Sequence, residues 1–199
     1  MSTVTPDLLS QTLAWRQQTG NDKFDEMWEG VPHRTPAPRR SHQDIVLDMC
    51  MWLRTHWARP LGNRVHLDVN VASPGGWPND YRVPDLVLLT PDRFAIDHDA
   101  YFEGAPTVVM EIRSPGDETM EKLPFYARLG VPEVWLIDRD TRRPEVLVLQ
   151  AGQYRQQSPA ADGWLDSAAT GVRLRGEAGN CLAMQLAGND ATRQLLPET

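Results

Sequence analysis

Thr107-Val108-Val109-Met110-Glu111-Ile112 is an apolar run interrupted by one carboxylate, and Glu133-Val134-Trp135-Leu136-Ile137-Asp138 is a second run some twenty residues on. Between them, residues 118–129 carry a short helical pattern, and Gly130 suits the position just past its end. A strand, a helix and a strand in succession favour a parallel pairing of the two strands. The turn Arg139-Asp140-Thr141-Arg142-Arg143-Pro144 then joins the second strand to Glu145–Leu149. Working outward from this unit, the chain reads as one α/β (α+β) domain built on a mixed sheet.

Upstream, Val65, Leu67, Val69 and Val71 alternate with His66, Asp68 and Asn70, the period of a half-buried strand. Ser73-Pro74-Gly75-Gly76 turns the chain, and Tyr81 to Leu89 returns as a second strand, expected antiparallel to the first. A loop from Phe94 to Ala105 leads into the Glu111 strand. Ahead of these, Ser41 is the expected cap of a helix whose Ile45, Met49, Trp52, Leu53 and His56 share one face. Arg59-Pro60 and Gly62 are expected to end it. Residues 30–40 hold three prolines and form a connection.

Thr5-Pro6 to Gly20 reads as an opening helix docked through Leu8, Leu9, Leu13 and Trp15. Beyond Gln150 the chain is polar, with weak strand signals at Trp164–Leu165 and Val172–Leu174. The expected division is a helical extension over 1–20, a main domain over 21–175 and a tail over 176–199.

With 199 residues and 41% hydrophobic content, the chain suffices for one core and not for two comfortable ones. No stretch approaches the roughly 20 apolar residues of a membrane span. The N-terminus lacks the features of a secretory signal, and Cys50 and Cys181 lack metal-type spacing. A cytoplasmic protein with two reduced thiols is the expectation. The net charge of −7 argues against a protein that coats nucleic acid non-specifically. It leaves room for a local basic surface, for which Arg34, Arg39, Arg40, Arg54, Arg59 and Arg64 are candidates.

Glu111 concentrates the chemistry. A carboxylate inside a strand that is apolar on both faces demands a cation or hydrogen-bond donors. Asp85, held extended behind Pro84, opens the apolar run Leu86-Val87-Leu88-Leu89. Lys122 lies just past the Glu111 strand. Two acids and a lysine can hold one divalent metal beside a phosphodiester, lower the pKa of its bound water and stabilise the charge that develops on phosphorus. A structural salt bridge is the other account of Glu111. Pro124, two residues after Lys122, is expected to begin the helix proper or kink it.

Val83-Pro84-Asp85, Glu111-Ile112-Arg113-Ser114-Pro115, Lys122 with Tyr126, and Gly130-Val131-Pro132-Glu133-Val134-Trp135-Leu136-Ile137-Asp138 together resemble the Uma-two family. That group of bacterial restriction-endonuclease-like proteins belongs to the PD-(D/E)xK nuclease superfamily. The likeness runs from about Asp22 to Leu149, and more faintly to Leu174. It implies a mixed sheet flanked by helices, with Asp85 and Glu111 as ligands of Mg²⁺ or Mn²⁺ and Lys122 as the catalytic lysine. Phe24-Asp25-Glu26-Met27-Trp28-Glu29-Gly30 resembles the family's early acidic segment, which makes Glu26 a further metal ligand. His42 and Tyr126 are supporting residues by the same likeness. The superfamily's usual lysine stands two positions after the acid, where this chain has Arg113. Arginine there can contact phosphate but cannot lose a proton.

These readings predict a metal-dependent endonuclease acting on DNA. A homodimer is the natural expectation for cutting both strands. A catalytically silent relative that binds nucleic acid or a protein partner through the same sheet is the alternative, and a hydrolase of small phosphate esters a third. GxSxG, Walker A, HExxH and GxGxxG patterns are absent, and His33, His42, His56, His66 and His98 show no metal-ligand spacing.

Overall fold

A computed structural model describes residues 24–33 and 38–197, together with Gln11, Ala14 and Gln18, each of them helical. The docking expected of Leu8, Leu9, Leu13 and Trp15, and the place of Arg34, lie outside the described residues.

The β-α-β unit forms as its sequence predicts. Strand β8 (Val108–Arg113) pairs in parallel with β9 (Glu133–Asp138), and helix α2 (Thr119–Leu129) connects them. Gly130 ends the helix with φ 85°, a conformation that costs glycine little. Strand β10 (Pro144–Gln150) adds antiparallel to β9, and β11 (Gln153–Gln156) antiparallel to β10. On the other side of β8 come β6 (Leu86–Leu89) and then β3 (Arg64–Leu67), both antiparallel. The central sheet therefore runs β11-β10-β9-β8-β6-β3 and is mixed.

The two long upstream strands each break in the middle. The first divides into β3 and β4 (Asn70–Ala72) around Asp68, whose φ is 51°. The second divides into β5 (Tyr81–Arg82) and β6 around Val83-Pro84-Asp85. The breaks face each other, since Asp68 N–H donates to the Asp85 carbonyl. The hairpin thus leaves one sheet and enters another. Its distal half joins β1 (Glu26–Trp28), β2 (Val31–His33) and β7 (Tyr101–Glu103) in a second sheet ordered β2-β1-β5-β4-β7. Proline at 84 and a left-handed residue at 68 are what a continuous ladder cannot absorb.

Helix α1 (Arg40–Trp52) starts one residue before Ser41 because Pro38-Arg39 delivers the chain extended, and no side chain caps it. It continues through a π-helical stretch, Leu53–Ala58, and a last turn, Arg59–Leu61, that takes in Pro60 before Gly62 stops it. Ile45, Met49, Trp52 and Leu53 are buried, while His56 is only half-buried beside the Trp52 ring.

The expected boundary at 175 falls inside a strand. Strands β12 (Leu165–Asp166), β13 (Val172–Glu177), β14 (Cys181–Leu186) and β15 (Asn189–Leu196) make an antiparallel sheet, so residues beyond 176 are structure and not a tail. Leu182, Met184 and Leu196 sit fully in the core formed by α1 and one face of the central sheet. Trp52 and Trp57 donate their indole N–H groups to the carbonyls of Thr192 and Thr170, tying α1 to this sheet. Helix α2 covers the opposite face, against Val109, Val134, Leu136 and Leu147. Strand β8 is therefore covered on both sides, which is why its sequence is apolar without alternation. Among the described residues both cysteines are free and buried, and no helix is long and apolar enough to cross a membrane.

Candidate active site

Asp85 and Glu111 meet because of strand register. Leu86 pairs with Met110, and one further step along the ladder sets Asp85 opposite Glu111 on the face that α2 covers. At that step the backbone ladder stops and the Asp85 side chain takes over. One carboxylate oxygen accepts the Ile112 N–H at 2.6 Å, and the other meets Nε2 of His42 at 2.8 Å. His42 comes from the first turn of α1, so three elements fix this one carboxylate.

Glu111 is 4% exposed. Its Oε1 accepts the Tyr126 hydroxyl at 2.7 Å, and Lys122 Nζ lies 3.2 and 3.3 Å from its two oxygens. Lys122 and Tyr126 stand one turn apart on α2 and reach the same acid. Helix α2 begins at Thr119, so Pro124 lies within it and not at its start, and Lys122 sits in the first turn. Tyr126, expected beside Lys122, instead holds Glu111 directly.

Glu26 joins the group from β1. Its oxygens accept Val83 N–H at 2.9 Å and the Trp28 indole N–H at 2.7 Å, and Lys122 Nζ stands 2.7 Å away. Glu26, expected as a third metal ligand, is not among the residues that line the cleft bordered by Asp85 and Glu111. Arg113 pairs with Glu145 at 2.8 Å and is not among the residues that line the cleft. Of the arginines expected to form a basic surface, Arg39 alone among the described residues borders the cleft, while Arg40 pairs with Asp44 and Arg64 with Asp97.

Three carboxylates around one lysine leave an excess of negative charge. Burial, reinforced by Asp85 and Glu26, pushes Glu111 up to about 8 despite the lysine and the tyrosine hydroxyl. Burial opposes charge on Lys122 too, yet Glu111 and Glu26 outweigh it and raise its pKa. Both shifts favour the proton-bound forms, Glu111 mainly because burial disfavours its charge and Lys122 because acids surround it. The acids around Lys122 thus hold it in its charged form. His42 is raised as well, the bond to Asp85 overcoming its desolvation.

These groups open onto a cleft of about 580 Å³, walled by Asp85, Glu111, Lys122, His42, the turn Ser114–Asp117 and Arg139. Asp68 and Arg139 were not signalled by the sequence as site residues. Arg139 had one available clue, its place directly after the strand that pairs with the Glu111 strand. Among the described residues, no three His, Cys, Asp or Glu side chains converge into a ready cage for a metal. Mg²⁺ does not require one, since it commonly takes one or two carboxylates and completes its shell with water and substrate phosphate. Asp85 and Glu111 suit that role: both border the cleft, and their surroundings are short of positive charge.

A mixed sheet with an acid pair and a lysine at the edge of a β-α-β crossover defines a nuclease-like class of protein. Residues 9–175 match the family described as "Uma2: Putative restriction endonuclease", and the chain belongs to that family. Its fold is similar to a crystal structure described as a "putative nuclease belonging to DUF820" from Anabaena variabilis. The two share 18% identity with a TM-score of 0.58, over 73% of this chain and 82% of that one. No curated protein matches the chain.

Proposed function

We propose that the protein is a metal-dependent DNA endonuclease that hydrolyses phosphodiester bonds. The observation that carries this reading is the acid pair at the cleft, partly buried Asp85 opposite buried Glu111, with Lys122 beside it. The family and the similar fold support nuclease chemistry.

Asp85 and Glu111 would hold Mg²⁺ or Mn²⁺. Such an ion, when bound, neutralises phosphate oxygens and makes water a better nucleophile. Asp85 is aimed by Ile112 N–H and His42, and Glu111 by Tyr126. Lys122, kept charged and held by Glu26, offers a fixed ammonium to negative charge that grows on the phosphoryl group. Glu26 acts in this scheme as the anchor of Lys122.

A catalytically silent fold that binds nucleic acid or a protein partner is the second reading. It is favoured by the closed Lys122–Glu26–Glu111–Tyr126 network, which leaves few oxygens unspent. Incubation of purified protein with plasmid DNA and Mg²⁺ or Mn²⁺ decides between them. The endonuclease reading expects nicking or cutting that disappears in Glu111→Ala while the variant remains folded. Cleavage that persists in Glu111→Ala, free of contaminating nuclease, refutes the proposed site. Inactivity with DNA binding indifferent to Glu111→Ala supports the silent reading.

A further inference from the structure

Arg139 lines the cleft, yet neither the acid–lysine cluster nor the core uses it. It follows β9 directly, and its N–H donates to the Arg113 carbonyl at the end of β8. It therefore stands outside the carboxyl ends of the two parallel strands, where α/β sheets commonly receive ligands. Counting strand steps, its Cα lies on the order of 10 Å from that of Glu111. A backbone bound at the acids would pass it within a few nucleotides.

The side chain is built into the turn. It is 12% exposed, and one terminal nitrogen donates to Ser114 Oγ at 3.3 Å. Asp138 fixes the turn by accepting the N–H groups of Asp140 and Thr141 and the Thr141 hydroxyl. The remaining nitrogens of Arg139 bind Asp140, at 2.9 and 3.1 Å. Asp140 is 60% exposed, so its carboxylate can turn into solvent and leave its place to a phosphate. The planar fork that grips a carboxylate in this way also fits phosphate.

Arg39 borders the same cleft and has no ion-pair partner among the described residues. The turn that carries Arg139 touches the start of α1, because Arg142 donates to the Ser41 carbonyl. Asp68, Asp85, Glu111 and Asp117 also border the cleft. A polyanion entering such an acidic groove needs cations beyond the scissile position.

We infer that Arg139, with Arg39, forms a backbone subsite that binds DNA phosphates flanking the one to be cut. This inference rests on the nuclease reading. The test measures binding of the full chain to a fluorescein-labelled DNA duplex, with Ca²⁺ present, over a series of salt concentrations. Each DNA phosphate that a variant no longer neutralises should reduce the salt slope of binding by about 0.9. Arg139→Gln should lower it by about that amount, the double variant Arg139→Gln with Arg39→Gln by about twice as much, and Arg139→Lys hardly at all. Arg193→Gln, which alters an arginine paired with Glu177 away from the cleft, is the control and should leave the slope unchanged.

Melting curves establish that each variant is folded. A slope unchanged in folded Arg139→Gln overturns the subsite while leaving the nuclease reading intact. A wild-type protein that does not bind the duplex overturns both. A slope that falls equally in Arg193→Gln overturns the subsite by showing that any surface arginine contributes.

Discussion

Glu111→Gln should change the pH dependence of stability more than it changes the fold. In the metal-free protein the Glu111 carboxyl ionises near 8, against 4.5 for an ordinary glutamate. Below 4.5 it is protonated in both folded and unfolded chains and has no effect. As pH rises, the unfolded chain releases its proton first, so stability is lost progressively until the folded-state value is passed. At about 1.36 kcal/mol per decade of pH, the loss between 4.5 and about 8 is roughly 5 kcal/mol. Glutamine cannot ionise and escapes this loss. It can still accept from the Tyr126 hydroxyl, but its amide faces Lys122 Nζ, which costs about 1–3 kcal/mol.

The two stability curves should therefore cross. Near pH 4 the variant should be the less stable by about 1–3 kcal/mol, and near pH 9 the more stable by about 2–4 kcal/mol. Urea unfolding in EDTA, followed by tryptophan fluorescence, measures both. Parallel curves for wild type and variant would refute the claim that burial, reinforced by the neighbouring acids, makes Glu111 hold its proton. Added Mn²⁺ should stabilise the wild type at alkaline pH and leave the variant unmoved.

Removing the aiming groups should weaken metal binding without unfolding the chain. For His42→Ala, which strips one donor from Asp85, calorimetric titration with Mn²⁺ should show affinity lower by roughly 10- to 100-fold; an unchanged affinity would leave His42 with only a packing role. Tyr126→Phe removes a bond that favours ionised Glu111, so the acid should titrate still higher and affinity near neutral pH should fall about tenfold or more. The deficit should shrink at alkaline pH, where the carboxyl is ionised in both proteins. Away from the cleft, Glu133→Ala should cost at least about 3 kcal/mol in urea unfolding, because it orphans buried donors. Those donors are the Trp135 indole, the Ser167 hydroxyl and the Ala169 N–H. Cleavage per folded molecule should be unaffected.

The crossover unit was legible because its signals are local. An apolar run, a helix of three turns and a second apolar run specify a parallel pair whatever surrounds them, and β8, α2 and β9 follow accordingly. The divided hairpin was less legible. Alternation continues across Asp68, and only the positive φ there and the cross-strand bond to Asp85 reveal that each arm serves two sheets. Of the C-terminal strands, β12 and β13 gave only weak signals and β14 and β15 none, although β14 is buried along nearly its whole length. Their apolar residues gain meaning only from the α1 surface they cover.

By itself, then, the sequence determined that a carboxylate would be trapped in a buried strand beside a lysine-bearing helix, since strand and helix periods are properties of neighbouring residues. Tertiary structure decided what surrounds that carboxylate. Register set Asp85 across from it, α1 brought His42 to Asp85 from forty-three positions away, and β1 delivered Glu26 to Val83 from fifty-seven. It also turned Arg113 to Glu145 and left Arg139 at the cleft. Such partners are chosen by packing and charge among distant segments, and no local pattern encodes which of many acids and arginines will meet.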